Sequence, residues 1–295
     1  MDQLVGNERA AKIAGLGNRI DDKVRIGSRD IYMPLIRAVS WPGIKVQADI
    51  AYGPDPKRNL LDIHTPDGAS GAPVVAFFHG GGMIGGYKND EGGAIYSNVA
   101  NFFASHGMVG VNATYRLAPA HPYPAGSEDV GAVVAWLRKN AAQYGGDPNR
   151  IFIMGHSAGA AHVAIYAFRN FLHPKEGPGI AGAILVSGGY AVDAKNPPPN
   201  RVAYYGADAA KYAERQVIGN VERADFPIFV ICAQHDPVAT AQYSFDLVSD
   251  IATRHKVMPR FKQVRGHNHF SEVYALGTGD TSLGPDLIDF VENAR

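Results

Sequence analysis

Residues 151–159 read Ile151-Phe152-Ile153-Met154-Gly155-His156-Ser157-Ala158-Gly159, and this stretch decides the fold. Four consecutive apolar residues suit a short strand buried on both faces. Directly behind the serine, Ala158 to Phe171 carries a helical pattern. A strand that turns sharply into a helix through G-x-S-x-G pushes the serine hydroxyl outward, and the two glycines leave room for the strained turn. The helix starting there offers free N–H groups and its positive dipole end, which favour a developing oxyanion. Ser157 is therefore the candidate nucleophile. An ordinary Gly-Ser helix start would satisfy the bare pattern; the strand before it and the helix after it give the motif its weight.

The same alternation runs outward in both directions. Strand-like runs lie at Ile44–Tyr52, Leu60–Thr65, Val74–Phe78, Met108–Thr114, Ile151–Met154, Ala181–Ser187, Ile228–Cys232 and Phe261–Val264. Helical patterns lie between and around them at Ala94–Ser105, Glu128–Tyr144, Ala158–Phe171, Ala239–His255 and Pro285–Asn293. This spacing predicts an α/β fold built on a mostly parallel sheet of about eight strands with helices on both faces. Residues 1–295 read as one domain. Two segments stand outside the alternation. Residues 1–42 form an N-terminal arm, either a cap over the strand ends or a packing arm. Residues 189–224 form a cap-like insertion in which Asn196-Pro197-Pro198-Pro199-Asn200 is expected to be loop and helix-like spacing surrounds Ala209–Gln216.

Composition narrows the function. Lys plus Arg equals Asp plus Glu at 28 each, so the basic surplus of a nucleic-acid binder is missing. With 46% hydrophobic and 19% charged residues the chain has material for a large core. Cys232 is the single cysteine, so neither an internal disulfide nor a cysteine-based zinc site can form. The charged N-terminal 42 residues contain no apolar run, and no later stretch reaches membrane-spanning length. A cytoplasmic protein acting on a small molecule, with no nucleic-acid or membrane partner, is the expectation. A homodimer is compatible with the sequence, although no residue demands one.

Three further stretches supply the remaining chemistry. Phe77-Phe78-His79-Gly80-Gly81-Gly82 ends a buried strand in three glycines. Their backbone N–H groups can approach a developing oxyanion because no side chain blocks them. Gly81 and Gly82 are the expected oxyanion donors, with Ala158 as the third. A flexible turn or a phosphate loop would also use such glycines, but the Lys and Ser/Thr of a phosphate loop do not follow. His79 precedes the nucleophile, which argues against it as the base; it could orient the loop by hydrogen bonding. Asp236 follows the buried run Ile228–Cys232, the position of an acid that orients a histidine, though Asp-Pro is also a familiar helix start. For the base, Arg265-Gly266-His267-Asn268-His269-Phe270 offers two histidines; His269 is preferred over His267. A metal site from His267, His269, His235 and Asp236 would leave the Ser157 turn and the glycines unexplained, so no metal is expected. Tyr190, Tyr204, Tyr205, Phe270 and Tyr274 could line an aromatic pocket or serve as packing.

Taken in order, His79-Gly80-Gly81-Gly82, Tyr115-Arg116-Leu117-Ala118-Pro119, His121-Pro122-Tyr123-Pro124-Ala125, Glu128-Asp129-Val130, Gly145-Gly146-Asp147-Pro148-Asn149-Arg150 and Gly155-His156-Ser157-Ala158-Gly159 resemble the carboxylesterases of the α/β-hydrolase superfamily, near its hormone-sensitive-lipase and feruloyl-esterase-like branches. The resemblance spans roughly residues 58–295. It implies the α/β-hydrolase fold and hydrolysis of short-chain or aryl carboxylic esters without a cofactor, and it makes Arg116 and Asp129 structural. The sequence departs from the pattern at Met83, where many relatives have Trp, and at Gly85-Gly86-Tyr87-Lys88-Asn89. Asp236-Pro237-Val238 and Gly266-His267-Asn268-His269 sit closer to feruloyl-esterase-like or kynurenine-formamidase-like members. An arylformamidase using the same triad is the rival enzyme. A ligand-binding protein that has lost catalysis is the rival outside enzymology.

Overall fold

The computed structural model describes residues 2–90 and 92–294, with side chains from Gly6 onward; Met1 at the head of the N-terminal arm, Glu91 and Arg295 lie outside the described residues. Helices α1 (Asp2–Leu16) and α2 (Asp22–Ala38) come first. Strands β1 (Ile44–Ala51), β2 (Leu60–Pro66) and β3 (Ala72–Phe78) follow, then α3 (Ser97–Ser105), β4 (Val109–Ala113), α4 (Ala125–Asn140), β5 (Gly146–His156), α5 (Ala158–Phe168) and β6 (Gly182–Val186). The short α6 (Pro199–Tyr205) and α7 (Tyr212–Arg215) precede β7 (Ile228–His235), α8 (Val238–His255), β8 (Arg260–Asn268), α9 (Ser271–Tyr274) and α10 (Gly284–Asn293).

The strands form one sheet in the order β1-β2-β4-β3-β5-β6-β7-β8. From β4 through β8 every neighbour is parallel; β2 joins β4 and β1 joins β2 antiparallel. Strand alternation explains the continuous apolar runs. Val74, Ala76, Phe78, Ile151, Ile153 and Leu185 enter one core with Val130, Val133 and Leu137 of α4 and Leu247 of α8. Val75, Phe77, Phe152, Met154, Ile184 and Ile231 enter the other with Tyr32 of α2, Phe103 of α3 and Phe290 of α10. Both faces of the sheet are covered, so both alternate sets must be apolar. Each large aliphatic or aromatic side chain buried this way contributes roughly 1.5–3 kcal/mol.

The structure changes several boundaries. β5 starts at Gly146, five residues before the expected Ile151, because pairing of Gly146 with Ala72 of β3 extends it. Pro199 and Asn200, expected in the loop, instead open α6. A proline at the first helical position loses no hydrogen bond. The helix expected over Ala158–Phe171 ends at Phe168, with a 3₁₀ turn at Asn170–Leu172. Ala209–Gln216 divides into a 3₁₀ turn at Ala209–Lys211 and the single turn of α7. Among the described residues no helix is long and apolar enough to cross a membrane.

The N-terminal arm packs and also reaches the strand ends. Val24, Ser28, Tyr32 and Ile36, at four-residue spacing on α2, form its buried stripe. Ser28 hydrogen-bonds the Asn268 side chain at the end of β8. The first turn of α2 meanwhile lines the cavity that contains Ser157.

Lys88, in one of the segments that departs from the family pattern, is buried. Its Nζ lies 2.7 Å from Asp62 Oδ1 and 2.8 Å from Asp49 Oδ1, and the Asp62 side chain is only 4% exposed. Removing one partner of a buried pair strands the other charge. Lys88→Met should therefore lower unfolding stability by about 3–5 kcal/mol in urea titration. Adding Asp62→Asn should recover much of that loss; no recovery would show that the loss comes from packing alone.

Candidate active site

Four loops meet at the C-terminal ends of the parallel strands, where open α/β sheets place their ligand sites. They follow β3, β5, β7 and β8 and carry Gly80–Gly82, Ser157, Asp236 and His269. Ser157 sits between β5 and α5 with φ 56° and ψ −116°. A non-glycine residue pays about 1–3 kcal/mol for such a conformation, so the surroundings must enforce it. They do so by close approach. A Cβ on Gly159 would run into the Phe78 carbonyl of β3, and one on Gly155 would strike Gly159 itself. The Ser157 N–H donates to the Val186 carbonyl at 2.9 Å, which fixes the turn to the end of β6.

Gly81 and Gly82 lie beside Ser157 and Ala158 in the wall of one cavity of about 260 Å³. Gly81 has φ 129°, and a Cβ there would collide with the Gly85 carbonyl. The N–H groups of Gly81, Gly82 and Ala158 find no hydrogen-bond partner among the described residues. Ala158 opens α5, where an intrahelical partner is absent by geometry. His79 braces this loop. Its Nδ1–H donates to the Gly80 carbonyl at 2.6 Å, which leaves Nε2 to accept from the Thr114 hydroxyl at 3.2 Å. Burial pushes the His79 imidazole down to about 3, so the ring stays neutral. The Tyr115 hydroxyl donates to the His79 carbonyl at 2.7 Å, and the two rings stack.

Asp236 and His269 meet. His269 Nδ1 lies 2.8 Å from Asp236 Oδ1, and both side chains are buried. The other carboxylate oxygen accepts from the Ala233 N–H at 2.7 Å and from the Ser187 hydroxyl at 2.5 Å. Burial alone would raise the Asp236 pKa; the hydrogen bonds from His269, Ser187 and Ala233 outweigh it and hold the carboxyl below its usual value. His269 Nε2 is buried and unpartnered among the described residues, so no hydrogen bond joins it to Ser157. The two loops are instead tied through the residue before the serine. His156 Nε2–H donates to the His269 carbonyl at 2.6 Å, and the rings stand 4.9 Å apart. His267 turns elsewhere: its ring contacts the Ser271 and Ser282 hydroxyls at 3.1 and 2.8 Å and faces Asp280.

Arg116 grips Asp129 through its own N–H at 2.7 Å and its Nε at 2.9 Å. Of the five aromatic candidates, Phe270 lines the Ser157 cavity and a neighbouring cavity of about 450 Å³, and Tyr274 lines the second. Tyr190, Tyr204 and Tyr205 are core packing.

Sequence reasoning missed Ser187, Glu272, Asn200 and Arg201. Ser187 follows β6 on the same sheet edge, and Glu272 comes three residues after His269, so position alone could have flagged them. Ser187 Oγ contacts a Glu272 carboxyl oxygen as well as Asp236. One hydroxyl has one proton to give and cannot donate to two carboxylates. Glu272 therefore carries a proton and donates to Ser187, which donates to Asp236. Burial, followed by the nearby Asp236 charge, raises the Glu272 pKa well above its usual value.

The family model described as alpha/beta hydrolase fold matches residues 75–254, and the chain belongs to that family. It is similar to the carboxylesterase NlhH of Mycobacterium tuberculosis, 44% identical over 96 residues, which are 32% of this chain and 28% of that protein. It is also similar to esterase LipQ of the same organism, 38% identical over 139 residues, 46% of this chain and 32% of that protein. The chain thus spans about a third of the length of these relatives. Among solved structures, esterase Est22 superposes with a TM-score of 0.71 over 97% of this chain and 92% of that one, at 18% identity, a likeness of fold.

Glu272 also sets a pH dependence. Its folded pKa is raised, so above the usual carboxyl range the folded state holds a proton that the unfolded chain has lost. Stability contributed this way falls as pH rises, by up to ~1.4 kcal/mol per pH unit for one proton. Burial pushes neighbouring Cys232 up to about 12 and Tyr190 well above its ordinary value, so neither titrates near neutrality. Glu272→Gln keeps a donor toward Ser187 and removes the proton. Between pH 5 and about 8 the urea unfolding stability of wild type minus that of the variant should fall as pH rises; a constant difference would refute the protonated carboxyl.

Proposed function

We propose that this protein hydrolyses short-chain or aryl carboxylic esters, with Ser157 as nucleophile, His269 as general base and Asp236 as the acid that orients it. The observation that carries the reading is the convergence of two halves. The strained Ser157 turn faces a cavity with unpartnered backbone donors. Next to it a buried histidine keeps its Nδ1 on a carboxylate and its Nε2 unpartnered. The names carboxylesterase and esterase on the similar M. tuberculosis proteins support it further.

In this mechanism Ser157 Oγ attacks the ester carbonyl carbon and its proton passes to His269 Nε2. The carbonyl oxygen becomes an oxyanion, which the N–H groups of Gly81, Gly82 and Ala158 stabilise. Collapse breaks the bond to the leaving oxygen, and the imidazolium returns its proton to form the alcohol. Water then adds to the acyl-enzyme with His269 again as base, and collapse releases the carboxylic acid and restores Ser157. Asp236 accepts from Nδ1–H throughout, keeps the proton off Nε2 in the resting ring and stabilises the imidazolium. Catalytic hydrogen bonds often tighten only when substrate binds, which accommodates the missing Ser157–His269 bond. The segments at Ile20–Arg25 and Asn200–Arg201 act as the cap over this site.

Intact mass after brief fluorophosphonate treatment should show one adduct on wild type and none on Ser157→Ala. Folded wild type without an adduct would sink the serine mechanism. With p-nitrophenyl butyrate, Ser157→Ala and Asp236→Asn should each lose about 10³-fold or more in kcat. The acid limb of kcat/KM should follow a single proton. Asp236 is already ionised there, and His79 and His156, each held down to about 3 by burial, stay neutral. A two-proton limb would place a second titrating group in the mechanism.

A further inference from the structure

Among the charged groups around Ser157, Arg201 is the one whose charge nothing answers. The cavity holding Ser157 is also lined by Asp21, Asp22, Arg25 and Arg201. Asp21 accepts from the Val24 N–H at 3.0 Å and pairs with Arg19 at 3.0 Å. Asp22 pairs with Arg25, also at 3.0 Å. The arm's contribution is thus internally neutral. Arg201, half-buried on α6, has no carboxylate partner among the described residues; its Nη1 donates to Met83 Sδ at 3.5 Å, and the neutral Tyr205 hydroxyl lies within its hydrogen-bonding reach. A thioether is a weak acceptor and leaves most of a five-donor guanidinium unused. Tyr205 and His162 are near enough to feel its charge, but neither can neutralise it. Burial pushes Tyr205 up to about 12 and His162 down to about 3, so both are uncharged.

The position of Arg201 is fixed. Asn200 beside it donates to the Gly82 carbonyl at 3.0 Å, which ties the first turn of α6 to the glycine loop. The guanidinium lies across Gly189, where any Cβ would collide with Nη2. Met83 lies against it. A partly desolvated, held guanidinium suits planar two-point recognition of a carboxylate.

We propose that Arg201 binds a carboxylate carried by the substrate, so that the preferred esters are anionic, with the second carboxylate a short distance from the scissile ester. The inference rests on the esterase reading above. The carboxylate can belong to the acyl part, as in a half-ester of a dicarboxylic acid, or to the alcohol part, as in an acylated hydroxy acid. Both present the same group to Arg201.

Two substrate pairs separate these sources. Mono-p-nitrophenyl succinate against p-nitrophenyl butyrate tests the acyl side with one leaving group and equal acyl length. Butyryl glycolate against propyl butyrate, followed by pH-stat, tests the alcohol side. In wild type the anionic member of at least one pair should have the higher kcat/KM, and that pair identifies the source. Arg201→Gln should lower the anionic-to-neutral ratio for that pair by about tenfold, a loss expected when a charged hydrogen-bond partner is removed. Arg201→Lys should keep an intermediate ratio, because the charge remains and the fork is lost. The ratio is internal to each preparation, so a smaller folded fraction does not alter it. Ratios at or below one in both pairs for wild type, or a ratio unchanged in Arg201→Gln, would overturn the proposal while leaving the esterase reading in place. Hydrolysis of none of the four esters by wild type would overturn both.

Discussion

Helix α5 approaches strand β3 so closely at Gly159 that backbone meets backbone, with the Phe78 carbonyl where a side chain would begin. Much of the site depends on that contact. It forces the chain leaving β5 to reverse within one residue, and Ser157 takes the positive φ that the reversal needs. The same approach sets the end of β3 beside the serine, so the glycine loop after β3 shares a cavity with it. The strain at one residue is held by cores on both faces of the sheet. A looser sheet would let the turn relax.

The acid half of the site is organised by proton count. Asp236 must remain ionised while buried, and it does so because three donors surround it. One of them, Ser187, is itself supplied with a proton by Glu272, whose charge would otherwise oppose that of Asp236. A neutral carboxylic acid behind a serine thus stabilises a carboxylate in front of it. His156 completes the frame by tying the β5 end to the carbonyl of His269. The Ser157 and His269 loops, which share no hydrogen bond between those two side chains, are therefore positioned by their neighbours.

The outer wall of the Ser157 cavity is built from separate parts of the chain. The first turn of α2 arrives from the N-terminus, and α6 arrives from the insertion after β6. In the arm, each charge near the cavity has a partner close in sequence. On α6 the one cation at the cavity has none. This asymmetry leaves Arg201 as the cavity's uncompensated cation among the described residues.

The sequence by itself determined the strand–turn–helix around Ser157, the glycine loop, the places of Asp236 and His269 and the mostly parallel architecture of about eight strands. These are readable because strand alternation, glycine requirement and chain order are local or ordered along the chain. Tertiary structure alone decided the rest. Whether Pro199 continues a loop or opens a helix depends on the docking of Asn200 against Gly82, 118 residues away. That Ser187 and Glu272 serve Asp236 depends on three strand ends meeting at one edge of the sheet. Arg201 reads as one basic residue among 28 until the fold sets it beside Ser157 without a partner. Charges acquire neighbours only in three dimensions, and it is the neighbours that separate a solvated arginine from one held ready for an anion.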